Sequence, residues 1–156
     1  MSYQQASETP FRYPVLSMDS SGYVSGFANL HNLTQLVPHA FKSGQYEGME
    51  LIDSNERRWI VRSGKKIGRA TRWGLLDILL FNPPNLRVAY ELEELPPLSL
   101  DEIKERAITS EREFSFGEYE ADGETAQFDA LLARIRAARN VAGIFKTLSL
   151  DEVQFI

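Results

Sequence analysis

The chain has 156 residues, no cysteine, 43% hydrophobic and 25% charged residues, and a formal net charge of -5. That length suits one domain with a core that needs no covalent staples. The missing thiols exclude disulfide scaffolds, cysteine nucleophiles and cysteine-based zinc sites, and the acidic balance argues against partners held by bulk attraction to phosphate.

Residues 1–10 are polar and lack both the basic and the apolar part of a secretory signal. They read as a flexible tail ahead of a single domain over residues 11–156. No apolar run approaches bilayer length, so the expected setting is cytoplasmic, without membrane. Residues 11–18 predict a strand, with Tyr13 and Val15 on one face and Leu16 and Met18 on the other. Asp19-Ser20-Ser21-Gly22 predicts a turn, and Tyr23, Val24 and Phe27 a return strand. Asn29 can cap a short helix through Leu30, Leu33 and Val37, which Pro38 limits.

Residues 45–73 form the most distinctive stretch. Met49 and Leu51 alternate with polar neighbours, Asp53-Ser54-Asn55-Glu56 supplies turn chemistry, and Trp59 and Val61 share a face of the returning strand. Arg57, Arg58, Arg62, Lys65, Lys66, Arg69 and Arg72 follow without an intervening acid, seven of the chain's 17 basic residues. Residues 74–81 are apolar and fit either a buried strand or a buried helix. Asn82-Pro83-Pro84-Asn85 breaks the chain. Leu86, Val88, Tyr90 and Leu92 then alternate with Arg87, Ala89, Glu91 and Glu93, a strand with one buried and one wet face.

Pro96-Pro97 ends the strands. Ser99 and Glu102 make a capping box, with Leu98 and Ile103 as its apolar staple, for a helix over residues 100–109. Residues 111–123 are acidic and turn-rich, and a loop is expected there. A helix starting at Glu124 or Thr125 carries Phe128, Leu131, Leu132 and Ile135 on one stripe, with Arg134, Arg136 and Arg139 at its C-terminal end. Asn140 can cap a last helix with Val141, Phe145 and Leu148 in register. The Leu-Ser-Leu-Asp-Glu run of residues 98–102 recurs at 148–152, which reads as a capping device used twice. Strands first and helices last predict an α+β domain: antiparallel hairpins forming one sheet, with C-terminal helices packed on it.

Two charge fields compete as binding surfaces. Between Glu91 and Glu124 twelve acids face only Lys104, Arg106 and Arg112. Glu111, Glu113, Phe116, Glu118, Tyr119, Glu120, Asp122 and Glu124, with Phe114 among them, interleave acids and rings. A cationic protein partner is held by such a mixture, although a solvated loop with its rings tucked inward has the same composition. Arg58, Arg62, Lys65, Lys66 and Arg69 beside Trp59 are the alternative, a nucleic-acid contact. Trp59 also fits a core position, and arginines also suit a wet strand face. His31 and His39 lack metal-ligand spacing, and Gly64-Lys65-Lys66 lacks the hydroxyl of a phosphate loop. No serine elbow occurs. No catalytic residue, metal ligand or cofactor site is expected.

Tyr13-Pro14-Val15-Leu16 leading to Asp19 and Gly22-Tyr23-Val24, then Gly44-Gln45-Tyr46-Glu47 running into Leu51-Ile52-Asp53, resemble segments of small bacterial proteins. So does the helix Phe128-Asp129-Ala130-Leu131-Leu132-Ala133-Arg134-Ile135-Arg136-Ala137-Ala138. The resemblance is to immunity-type proteins of polymorphic-toxin and contact-dependent inhibition systems. It implies a non-enzymatic cytoplasmic antidote that binds one cognate toxin domain and blocks its active site or substrate path. A basic toxin, such as a nuclease, would complement the net charge of -5.

Overall fold

The computed structural model describes residues 4–36, 38–69 and 86–150, with the side chains of residues 38, 39, 68 and 69 outside that description. The expectations for Val37, Arg72, Trp73, residues 74–85 and the last part of the 148–152 repeat lie outside the described residues. Seven strands are described: β1 (Gln4–Gln5), β2 (Val15–Met18), β3 (Val24–Phe27), β4 (Gln35–Leu36), β5 (Glu50–Ile52), β6 (Arg58–Arg69) and β7 (Leu86–Leu95). The described helices are α1 (Leu30–Leu33), α2 (Pro38–Ser43), α3 (Leu100–Phe114), α4 (Phe116–Ala121), α5 (Thr125–Ala137) and α6 (Val141–Thr147). Fold class is α+β, as expected.

All strand pairs are antiparallel, in the order β1-β7-β6-β5-β2-β3, with β4 also pairing β7. The chain passes from β3 at one end of this sheet to β4 at the other between Phe27 and Gln35. Five strand spacings in a flat sheet would span about 24 Å. One helical turn plus a few extended residues reaches only about 19 Å. The sheet therefore curls, and Phe27 of β3 and Leu36 of β4 line the same cavity.

The curl separates two cores. Inside it lie Val15, Leu51, Trp59, Val61, Val88, Tyr90 and Leu92, joined by Ala6, Leu33, Tyr46 and Met49. The opposite face of β2, β3 and β5 turns Leu16, Met18, Val24 and Ile52 toward the helices. Ile103, Ala107 and Ile108 of α3, the Phe128 to Ile135 stripe of α5, and Val141, Ile144 and Phe145 of α6 cover them. Each fully buried aliphatic side chain there contributes about 1.5–3 kcal/mol. Two-sided burial explains why β2 has no exposed residue.

Local chemistry fixes the corners. The Asp19 carboxylate accepts from the Ser21 and Tyr23 amides, while Gly22 takes a φ of 91°. Asp53, fully buried, accepts from the backbone of Arg12, Asn55 and Arg57 at 2.9–3.2 Å. The Ser99–Glu102 capping box forms as expected, and Asn29 and Asn140 cap α1 and α6.

Several expectations are corrected. The segment read as a tail enters the sheet at Gln4, where β1 pairs β7, and Ala6 is buried. The first long strand starts at Val15, not residue 11. The helix after Asn29 stops at Leu33, and Pro38 opens α2, where its fixed φ suits a first turn. The expected 111–123 loop is helical: α3 runs on to Phe114, and α4 follows at once. Phe116 and Tyr119 of α4 meet Phe128 of α5, so tertiary packing overrides the turn-forming glycine and serine. The expected second capping at Ser149 would involve residues 151 onward, which lie outside the described residues. Ser149 follows α6 at a φ of 53° and donates its amide to the Lys146 carbonyl.

Candidate functional site

Helix α3 positions the most coherent acidic surface. Asp101, Glu105, Thr109 and Glu113 recur every four residues, so they stand in one row, and all four are exposed. The neighbouring row carries Arg106, whose guanidinium pairs with Glu50 at the start of β5. Beside this row a groove of about 470 Å³ opens between α3 and the β2–β3 turn. Asp19 and Glu50 line its far wall, Glu105 and Thr109 its near wall. A second groove of about 370 Å³, lined by Leu98, Asp101 and Glu102, lies across Glu105 and Arg106 from the first. Among the described lining residues the one cation, Arg106, is neutralised by Glu50, so those walls are net acidic.

An aromatic pair stands beyond Thr109. Tyr23 and Phe114 meet edge to face, with centroids 5.4 Å apart and planes at 87°, and they are 44% and 42% exposed. One buried hydrogen bond fixes this placement: the Val24 amide donates to Ser110 Oγ at 2.9 Å, docking the hairpin on α3 one turn before Phe114. Acids in a row, a groove and two exposed rings together provide charge for encounter and apolar area for anchoring.

The sequence-derived contact residues divide. Glu113 belongs to the α3 row, and Glu118, Glu120, Asp122 and Glu124 are exposed on α4 and the turn after it. Glu111 is half-buried, and that burial raises its carboxyl above the usual range against an opposing hydrogen bond to Ser115. Phe116 and Tyr119 lie 5.0 Å and 5.3 Å from the Phe128 ring, half-buried, so their area already serves the core. Tyr23 and Phe114 take the exposed role instead. Sequence reasoning placed Tyr23 in a strand, because only the docking of the hairpin on α3 reveals the pair. Glu102 is held below the usual carboxylate range, first by the Ser99 amide and hydroxyl of the capping box.

The first part of the basic stretch is balanced across the strands. Arg57 makes two hydrogen bonds to Glu94, at 3.0 and 3.1 Å, and lies 4.9 Å over Trp59. Arg62 pairs with Glu93, and Ser63 donates to Glu91 at 2.9 Å. Arg58 is half-buried, and its charge acts on Glu102. Trp59 is fully buried and offers no stacking face. Lys65 and Lys66 are exposed, and Arg69 is placed by backbone alone, opposite Leu86.

His31 is exposed and hydrogen-bonds the Gln35 side chain. Among the described residues no group of three or more His, Asp or Glu could hold a metal ion, and no helix is long and apolar enough to cross a membrane. No protein-family model, curated protein or solved structure matches the chain.

Proposed function

We propose that this is a non-catalytic, cytoplasmic immunity-type protein of bacteria that binds and neutralises a cognate toxin domain. The observation that carries the reading is the exposed acidic row of α3 ending beside the Tyr23–Phe114 pair. Such a surface fits a basic partner. Acids draw a cationic face into register, and two rings at one end anchor it. A nuclease toxin with a cationic substrate cleft has that chemistry, and occupying its cleft would exclude phosphate. The ion pairs of Arg57 and Arg62 with Glu94 and Glu93 interrupt the positive stretch, so the acidic side is favoured over a nucleic-acid partner.

The test is co-purification with the product of the adjacent reading frame, followed by a toxicity rescue in cells. Stable pairing that weakens as salt rises, with growth restored, is the expected result. Failure to pair with any toxin domain encoded nearby, or rescue unaffected by reversing Glu105 and Glu113 to lysine, would reject the reading.

A further inference from the structure

A cationic groove that shares no lining residue with the acidic grooves is left over by the acidic surface. It has a volume of about 380 Å³ and is floored by β7, with Lys65 and Ile67 on one side. Leu30 and His31 of α1, and Gln5 and Ser7 next to β1, form other walls. Lys65 stands opposite Ala89 in the β6–β7 register, and Arg87 lies two residues from Ala89 on the same face. Both cations therefore project from adjacent strands onto one small-residue floor.

Three features mark this as a ligand site. First, none of the described lining residues is acidic, although the chain carries a net charge of -5. Like charges on neighbouring strands repel, so stability alone does not favour the pair. Second, the nearest acid along that face, Glu91, is not among the described lining residues of the groove, and it accepts from Ser63. Third, β6 bulges between Lys66 and Gly68, and the bulge residue Ile67 is 57% exposed at the groove. Bulges redirect side chains in this way beside sites. Leu30, 37% exposed, adds a second apolar rim residue.

The lining chemistry selects the ligand. Lys65 and Arg87 are donors without acceptors, and Ser7 and Gln5 can add neutral donors. The Thr34 hydroxyl is excluded as a donor, because it already donates to the Leu30 carbonyl at 2.9 Å. Two cations on adjacent strands match a dianion with three terminal oxygens better than a carboxylate with two. A polymer would need a longer positive track, and the ion pairs of Arg57 and Arg62 interrupt it. The apolar rim calls for an organic body attached to the anion. We propose that this groove binds a small organic phosphomonoester, with Lys65 and Arg87 holding the phosphate and Leu30 and Ile67 contacting the body.

Calorimetric titration of the full chain with adenosine monophosphate, inorganic phosphate, adenosine and acetate tests the assignment. The nucleotide should bind saturably at millimolar concentrations or below and more tightly than phosphate, with adenosine and acetate weaker still. Lys65→Ala and Arg87→Ala should each weaken nucleotide binding about tenfold, the effect of losing one charge-assisted contact. Both side chains are exposed, so the variants should keep the wild-type circular dichroism, and Lys42→Ala on α2 should bind as wild type. Absence of saturable phosphate or nucleotide binding, or binding indifferent to both variants, would overturn the site. Phosphate binding as tightly as the nucleotide would remove the organic body from the proposal. Affinity for oligonucleotides that grows with length would replace it with a polymer track.

Discussion

Gly64 and Tyr46 are in contact so close that position 64 has no room for a side chain. A Cβ there would stand 2.7 Å from the Tyr46 ring, which is buried inside the curled sheet and stacks on Phe41. This glycine, flanked by basic residues, serves packing, not phosphate binding. Gly64→Ala should therefore destabilise the protein by about 1–3 kcal/mol, the cost of overpacking a filled core. Urea denaturation measures it, and an unchanged midpoint would show that the ring moves aside freely.

Ser110 holds the β2–β3 hairpin to α3. It is 1% exposed, and its hydroxyl is the acceptor for the buried Val24 amide. Ser110→Ala leaves that amide unpaired and should cost about 1–3 kcal/mol. Ser110→Thr, which keeps the hydroxyl, separates the hydrogen bond from the packing: recovery of stability assigns the loss to the bond.

The acidic row and the aromatic pair should act on different kinetic steps. Glu105→Lys and Glu113→Lys should slow association with the proposed toxin partner, increasingly so at low salt, and change dissociation little. Phe114→Ala should speed dissociation instead, at a cost of about 2 kcal/mol in affinity if the ring is an anchor. Surface plasmon resonance resolves the two rates. Loss confined to association in all three variants would deny the pair an anchoring role.

Glu111 provides a pH-dependent readout. Burial raises its folded-state pKa above the unfolded value, so ionisation opposes folding once the pH exceeds both. Below the unfolded pKa the carboxyl is neutral in both states and the penalty vanishes. Glu111→Gln should thus raise the thermal midpoint at neutral pH, and the gain should disappear as the solution is acidified through that range. A gain that persists unchanged at acid pH would mean that the effect is not ionisation.

Legibility followed the range of the interaction. Asn29, Ser99 and Asn140 cap helices through amides three residues away, and each was readable from spacing. Trp59, Tyr90 and Leu92 were legible as core because period-two alternation fixes a face whatever the topology. The helix of residues 116–121 was not. Its Ser-Phe-Gly start reads as a turn, and only Phe128, in the next helix, gives Phe116 and Tyr119 a reason to line up.

The acidic stretch near the C-terminus and the basic stretch of β6 were therefore visible as composition long before either had a shape. By itself the sequence determined an antiparallel sheet followed by helices, the capped starts of those helices, and an excess of acid, since these depend on local pattern and on counting. Tertiary structure alone decided which charges remain available. The β6–β7 register hands Arg57 and Arg62 to Glu94 and Glu93. It leaves Lys65 beside Arg87 on a face whose described groove lining holds no acid. The docking of one hairpin on α3 brings Tyr23 to Phe114, 91 positions apart in the chain, and so sets two exposed rings beyond the acidic groove. Long-range pairing costs chain entropy and is fixed by the whole fold, so no short window of residues records it.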